Sequence, residues 1–286
     1  MPLKDLIKKF SGSIYSPFSL AGKKRIIYFH SVHPDYSFSL HPLAFKAIIS
    51  TIIDEGYSIL SVSDLMSSCD NEKAIAISFD DGYFDNLEFA VPILLEYSAN
   101  ATFFVVTDLV GESGRIGSNV GHRMYPNRPM LNAQDIRYMS DLGFEIGSHT
   151  ANHLSLRHLY KASPLLVHNE LTNSKIFLED VTGSTVESFA YPFGQPMNVS
   201  HDVTIMAHQA GYKYVFGTHW GAADDDYFTA RCCIPEFFSE YDIKNTLAGC
   251  NDYLSFFGKI PWRGRQWYNK PDYISSLNSY CNPPKN

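Results

Sequence analysis

The sequence predicts an α/β fold in which parallel strands joined by helices close into a barrel, in a single domain. Three observations predict it. Short β-branched or aromatic runs alternate with longer helical patterns along most of the chain. The run Ala74 to Phe79 is apolar almost without interruption, as in a strand covered on both faces. The length of 286 residues suits one barrel of alternating strands and helices.

Taken in order, Arg25 to His30 reads as the first strand, followed by a helix from Leu43 to Glu55 that Gly56 ends. Ser58-Ile59-Leu60 opens a second strand, and Ala74 to Phe79 is the third. Asp85 to Tyr97 is helical, with a kink expected at Pro92. Ala101 to Val106 is the fourth strand. Gly111 to Pro129 has no regular period and is rich in Gly, Asn, Arg and Pro, so it reads as a long loop, a kind of segment that is often functional. Asn132 caps a helix running through Leu142, with Asp135 favourable in its first turn. Phe144-Glu145-Ile146 is a short strand that delivers the segment containing His149. A helix from Pro164 to Asp180, a strand from Ser188 to Tyr191, a helix from Val199 to Ala210 and a strand from Tyr212 to Phe216 continue the alternation, and Thr229 to Ile234 is read as one more strand. The tail from Gly258 lacks a pattern and is expected to be irregular. The domain reading is an N-terminal segment at 1–24, a barrel at 25–240 and an extension at 241–286 packed on it.

Composition narrows the function. A net charge of −7 gives no basic field for nucleic acid. The 18 Tyr and 20 Phe are read mainly as core, with some rings free to stack on sugars. The cysteines are five, an odd number, and contain no CxxC pair, which fits free thiols in a reducing compartment. No apolar run follows the basic N-terminus and no stretch is long enough to span a bilayer, so a cytoplasmic protein is expected. Leu3, Leu6, Ile7 and Phe10 share a helical face among Lys4, Lys8 and Lys9. That stripe reads as a short amphipathic helix docked on the domain, or as a peripheral membrane contact.

The chemistry sits at two strand ends. Ser78-Phe79-Asp80-Asp81-Gly82 closes the third strand with adjacent carboxylates, and Gly82 permits a sharp turn. His149 and His153 follow the fifth strand at helical spacing, which places two imidazoles on one face. One carboxylate and two histidines make a three-ligand divalent-metal site with room for water, the catalytic pattern, and leave the second carboxylate free as a base. Zinc is the first choice, with nickel or cobalt suited to the same nitrogen–oxygen set.

With these motifs on the page, the chain resembles the polysaccharide deacetylase family, also called carbohydrate esterase family four or the NodB-homology domain. Ser78-Phe79-Asp80-Asp81-Gly82 and His149 to His153 match its first two motifs, and Phe189-Ala190-Tyr191-Pro192-Phe193-Gly194 its looser third. The resemblance runs from about Ile26 to Ile234 and includes Ala101-Thr102-Phe103-Phe104-Val105. It implies a distorted barrel of about seven parallel strands and metal-dependent removal of acetyl groups from sugars. It also implies Asp80 as general base, Asp81, His149 and His153 as metal ligands, and the backbone N–H of Phe193 as an oxyanion donor. The substrate is expected to lie against Tyr191, Pro192, Phe193, Trp220 and Arg231.

Two departures shape the rest. Ala190 stands where the family often has an Arg that orients the catalytic Asp; Arg231 is the candidate replacement, and an ordinary surface or interface Arg is the other reading. The family's late Leu-x-His is absent, since no histidine follows His219. A departing amine still needs a proton. His30, in a Tyr-x-His segment similar to that of exopolysaccharide deacetylases, is the expected acid, with His219 in reserve. The expected function is hydrolysis of a sugar N-acetyl group to acetate and an amino sugar, on a polymer or a lipid- or nucleotide-linked precursor of cell-surface polysaccharide. Two other readings stay open: a metal-dependent hydrolase of a non-sugar amide or cyclic imide, and a non-catalytic carbohydrate-binding module.

Overall fold

The computed structural model describes residues 24–36, 39–68, 73–111, 113–114, 128–219, 228–234 and 238–250. The expected amphipathic segment within 1–23, Trp220 and the tail from Gly258 lie outside the described residues.

Among the described residues, eight strands form one parallel sheet. They are β1 (Arg25–Phe29), β2 (Ser58–Leu60), β3 (Ala74–Phe79), β4 (Thr102–Val105), β7 (Glu145–Ser148), β8 (Ser188–Ala190), β9 (Tyr214–Phe216) and β10 (Cys232–Cys233). The strands β5 (Ser113–Gly114) and β6 (Arg128–Pro129) pair antiparallel outside it. The sheet order is β10-β1-β3-β4-β7-β8-β9, with β2 pairing the first half of β3 on the flank that β4 takes further along. The sheet curls until its ends nearly meet. Thr229 bridges Phe216 in parallel, and Cys232 pairs with Ile27, so residues 229–233 touch both edges. This is the distorted (β/α) barrel that the alternating pattern predicts.

Strand alternation explains its two cores. Ile26, Ala76, Phe104, Ala190 and Phe216 form a buried cluster on the inner face, while Ile27, Ile75, Ile77, Phe79, Phe103, Val105 and Phe189 join a larger cluster beneath the helices. At the N-terminal mouth the inner face is polar. The Glu145 carboxylate accepts from Thr102 Oγ1 at 2.6 Å, Ser188 Oγ at 2.6 Å and Ser63 N at 3.1 Å.

The helices are α1 (Pro42–Asp54), α2 (Val62–Ser67), α3 (Val91–Glu96), α4 (Ala133–Asp141), α5 (Leu156–Ala162), α6 (Pro164–Thr182), α7 (His201–Gln209) and α8 (Glu240–Leu247). The capping box at Asn132 and Asp135 starts α4 where the sequence places it. Helices α2, α5 and α8 go beyond the sequence reading, because six to eight residues are too few to display a period. α8 is tied to α1 by a Lys244–Glu55 ion pair at 2.8 Å and to β1 by the Arg25 Nε bond to Leu247 O at 3.0 Å. The kink expected at Pro92 takes the form of a π-helical turn at Asn86–Ala90 before α3. Proline lacks a donor and crowds the carbonyl four residues back, and a widened turn relieves both.

Candidate active site

The inner-face register continues past the strand ends and delivers the reactive groups. Ser78 points where Asp80 follows, and Gly147 where His149 follows. Asp80 N still donates to Phe29 O at 2.9 Å, so the base candidate is anchored to the end of β1. At Asp81 the chain turns into the left-handed region, with φ of 80° there and 83° at Gly82. A Cβ on Gly82 would lie 3.2 Å from Val105 Cγ1, so both conformation and space favour glycine.

The second motif corrects an expectation. Residues 149–153 are not helical; the spacing is spanned by a tight turn with left-handed Thr150 (φ 69°) and His153 (φ 55°). His153 N donates to Thr150 Oγ1 at 3.0 Å, and the next layer is held by Glu170 of α6, whose carboxylate accepts from Asn152 N at 2.8 Å and Asn152 Nδ2 at 3.0 Å. His149 Nδ1 is 2.8 Å from Ala190 O; donation to that carbonyl fixes the tautomer and leaves the Nε2 lone pair facing Asp81.

Asp81, His149 and His153 therefore converge. Asp81 Oδ1 lies 3.5 Å from His149 Nε2 and 3.3 Å from His153 Nε2, and it makes no hydrogen bond among the described residues although all three side chains are buried. Burial raises the Asp81 carboxyl, but the two imidazoles, with His30 beyond them, hold it well below the usual carboxylate range. Three acceptor-type atoms facing one point fit a cation. Donors about 2.1 Å from one tetrahedral ion stand roughly 3.4 Å apart, close to the separations here.

Asp80 stays outside this cluster. Arg231 grips it with Nη1 to Oδ1 at 2.6 Å and Nη2 to Oδ2 at 2.9 Å. Arg231 is 0% exposed, reaches Ser78 Oγ at 3.1 Å and Gly217 O at 3.2 Å, and lies between the Tyr28 and Phe104 rings at 5.3 and 5.0 Å. Burial pushes the Asp80 carboxyl up, but the Arg231 charge and hydrogen bonds, with His149 and His30, bring it below its ordinary value. A bidentate guanidinium uses one lone pair on each oxygen and leaves others to accept a proton.

Two expected substrate contacts are buried. Arg231 is sealed inside the barrel with its guanidinium on Asp80. Tyr191 is 1% exposed, and its hydroxyl lies 2.9 Å from Thr204 Oγ1 and 3.2 Å from Ser200 O, so it packs beneath the third motif. Pro192 is buried, while Phe193 is partly exposed in a left-handed conformation (φ 54°) with its ring edge-on to His153 at 4.8 Å. Gly194 is required there, because a Cβ would come within 2.9 Å of Thr218 N. His30 is exposed at the end of β1, and its charge is felt by both Asp80 and Asp81. His219 lies at the barrel seam, edge-on to Phe228 at 5.1 Å, with its carbonyl accepting from the Cys232 thiol.

Sequence reasoning missed Glu170, Asn152, Asp85, Asn86 and Arg128. Glu170 had a readable signal: it falls on the stripe Val167, Leu171, Ser174, Leu178 that α6 buries, where a carboxylate is out of place unless it holds something.

The sequence model of the polysaccharide deacetylase family matches residues 67–215. YxkH of Bacillus subtilis (strain 168), which carries a polysaccharide deacetylase name, is 29% identical over 209 residues, 71% of this chain and 67% of that protein. The poly-beta-1,6-N-acetyl-D-glucosamine N-deacetylase of Staphylococcus aureus (strain MSSA476) is 28% identical over 182 residues, 60% of this chain; the match spans only 58% of that relative's length. Among solved structures, Streptococcus pyogenes deacetylase PplD in complex with acetate aligns with a TM-score of 0.66 and 25% identity, covering 79% of this chain and 98% of that one. IcaB from Ammonifex degensii shares the fold, with a TM-score of 0.65 at 17% identity over 80% of this chain and 97% of that one.

Proposed function

The chain belongs to the polysaccharide deacetylase family, and we propose that it hydrolyses the N-acetyl group of a sugar, giving acetate and a free amino sugar, with a divalent ion held by Asp81, His149 and His153. The observation that carries this reading is the division of labour between neighbours: Asp81 faces two imidazoles, while Asp80 is kept ionised by Arg231 and is free to take a proton. A module that only bound sugar would have no use for that second, oriented carboxylate. A divalent cation at the three ligands, zinc by preference, would act there as a Lewis acid and lower the pKa of water.

The side chains supply the rest. Asp80 accepts the proton of the attacking water. The backbone N–H of Phe193, on the turn of the third motif, is the oxyanion donor this reading assigns. His30 protonates the departing nitrogen, because an amide anion is too poor a leaving group to depart bare. The staphylococcal relative is named for β-1,6-linked poly-N-acetylglucosamine, so oligomers of that linkage are the first substrates to test. Cys232, Cys233 and Cys250 form no disulfide among the described residues, in keeping with action in the cytoplasm on a precursor.

Acetate release from such oligomers by the metal-loaded protein is the direct test. Asp80→Asn should keep the metal and the fold but slow turnover by about 10²–10⁴-fold. An Asn variant working at the parental rate would remove Asp80 from the base role.

A further inference from the structure

A second buried polar group lies beside the site and acts on the two residues that follow β1. Asn86 Nδ2 donates to His30 O at 3.0 Å. The Ser31 hydroxyl donates to Asp85 Oδ2 at 2.6 Å and accepts from Arg128 Nη1 at 2.8 Å. Since the single Ser31 proton goes to Asp85, the Ser39 hydroxyl 2.5 Å away must donate to Ser31. Arg128 is in turn set over the Tyr36 ring at 4.8 Å and the Tyr83 ring at 5.4 Å, and Tyr36 stacks on His33 at 3.6 Å. Strand β6, the start of the π-helical turn and Ser39 are thereby tied together at Ser31.

This arrangement costs stability. Ser31, Asp85, Asn86 and Arg128 are all buried, and Asp85 Oδ1 and Asn86 Oδ1 make no hydrogen bond among the described residues. Each such orphan is a net cost to folding, and apolar residues would pack there more cheaply. π-Helical turns cluster at functional sites, and this one begins a few residues after Asp81. One short segment thus carries a metal-ligand candidate and the grip on the backbone of His30.

We propose that Asn86, Asp85 and Arg128 are positioning residues that hold the His30–Ser31 backbone so that the His30 imidazole meets the departing nitrogen. The proposal rests on the deacetylase reading above. Asn86 fixes the His30 carbonyl, Asp85 and Arg128 fix Ser31 from two sides, and none of the three touches substrate.

The test uses the metal-loaded enzyme and its Ser31→Ala and Asn86→Ala variants on two substrates: a soluble β-1,6-linked N-acetylglucosamine oligomer and 4-nitrophenyl acetate. The amide needs its leaving group protonated, whereas nitrophenolate leaves without help. In both variants kcat on the oligomer should fall by about tenfold or more, while KM, metal content and ester hydrolysis stay within about twofold of the parent. A parallel fall on both substrates, or no fall on the amide, would overturn the proposal. If His30→Ala leaves amide turnover intact, the role of His30 itself fails. A parent that cleaves the ester but not the oligomer faults the sugar reading alone. The clamp is then still decided by crystal structures of the two variants: a displaced or multiply placed His30 supports it, and an unmoved His30 sinks it.

Discussion

Asp81, Thr150, His153 and Phe193 all have left-handed backbones although none is glycine, and all four lie at the metal-ligand cluster or against it. Such residues cost on the order of 1–3 kcal/mol each and persist only where surrounding contacts over-determine them. Here those contacts are the Thr150 hydroxyl under His153 N and the Glu170 carboxylate under Asn152. Asp85 shows a related tension. Burial pushes its carboxyl up to about 6, against the Ser31 hydroxyl, the Arg128 charge and the Val32 N–H, while Glu88 adds to the rise. Its folded pKa exceeds the unfolded value of about 3.9, so the folded state binds the proton more tightly. The stability this contributes is present below about pH 4, declines between about pH 4 and 6, and is gone above, a swing of about 3 kcal/mol at most. Asp85→Asn should therefore raise Tm relative to the parent by an amount that grows as pH increases through this window. A Tm difference flat from pH 4 to 8 in calorimetry would refute the assignment. Asp80, Asp81, His149 and His153 were legible in the chain because each follows a strand within a short motif. Arg231 was legible only as one of two readings, because its partner lies far off in sequence and close only once the barrel closes.

Among the elements, the turn at 149–153 and α6 work as a pair. The sequence spacing suggested a helix; the structure reaches a similar convergence with a strained turn that α6 braces through Glu170 and through the Ser174–Ser148 hydroxyl contact at 2.8 Å. Outer groups of this kind usually weaken metal affinity by about 10–100-fold when altered. Glu170→Gln should do so here, read by competition with a chromogenic chelator, and parental affinity would mean the turn needs no brace. Element existence was readable wherever periodicity had room to repeat, as in α1, α4 and α6. It failed for α2, α5 and α8, which are set by tertiary packing. The π-helical turn was half readable: Pro92 announces an interruption, but only the packed structure says it is resolved by widening.

Across the whole molecule, the barrel brings together groups from β1, β3, β7, β8 and the segment at 229–233, so an ion at the three ligands would cross-link distant parts of the chain. Binding that occurs only in the folded state adds about 2.7 kcal/mol at a hundredfold excess over Kd. Exhaustive chelation should therefore lower Tm by several degrees and abolish acetate release, both recovered on adding back a divalent ion. Identical melting curves with and without chelator would show that no ion joins these segments. The barrel itself was legible because alternation is a global pattern. Its seam was not, because β10 is two residues long and is defined by the edges it touches.

The seam has a consequence for the order in which the protein is made. Asp81, His149 and His153 have all left the ribosome long before Arg231, the residue that holds Asp80 in place and rides on the segment closing the barrel. On the proposed reading, a nascent chain can therefore gather the candidate ligands while the proposed proton acceptor is still unguided. Competence would then arrive last, with the stitch that shuts the sheet.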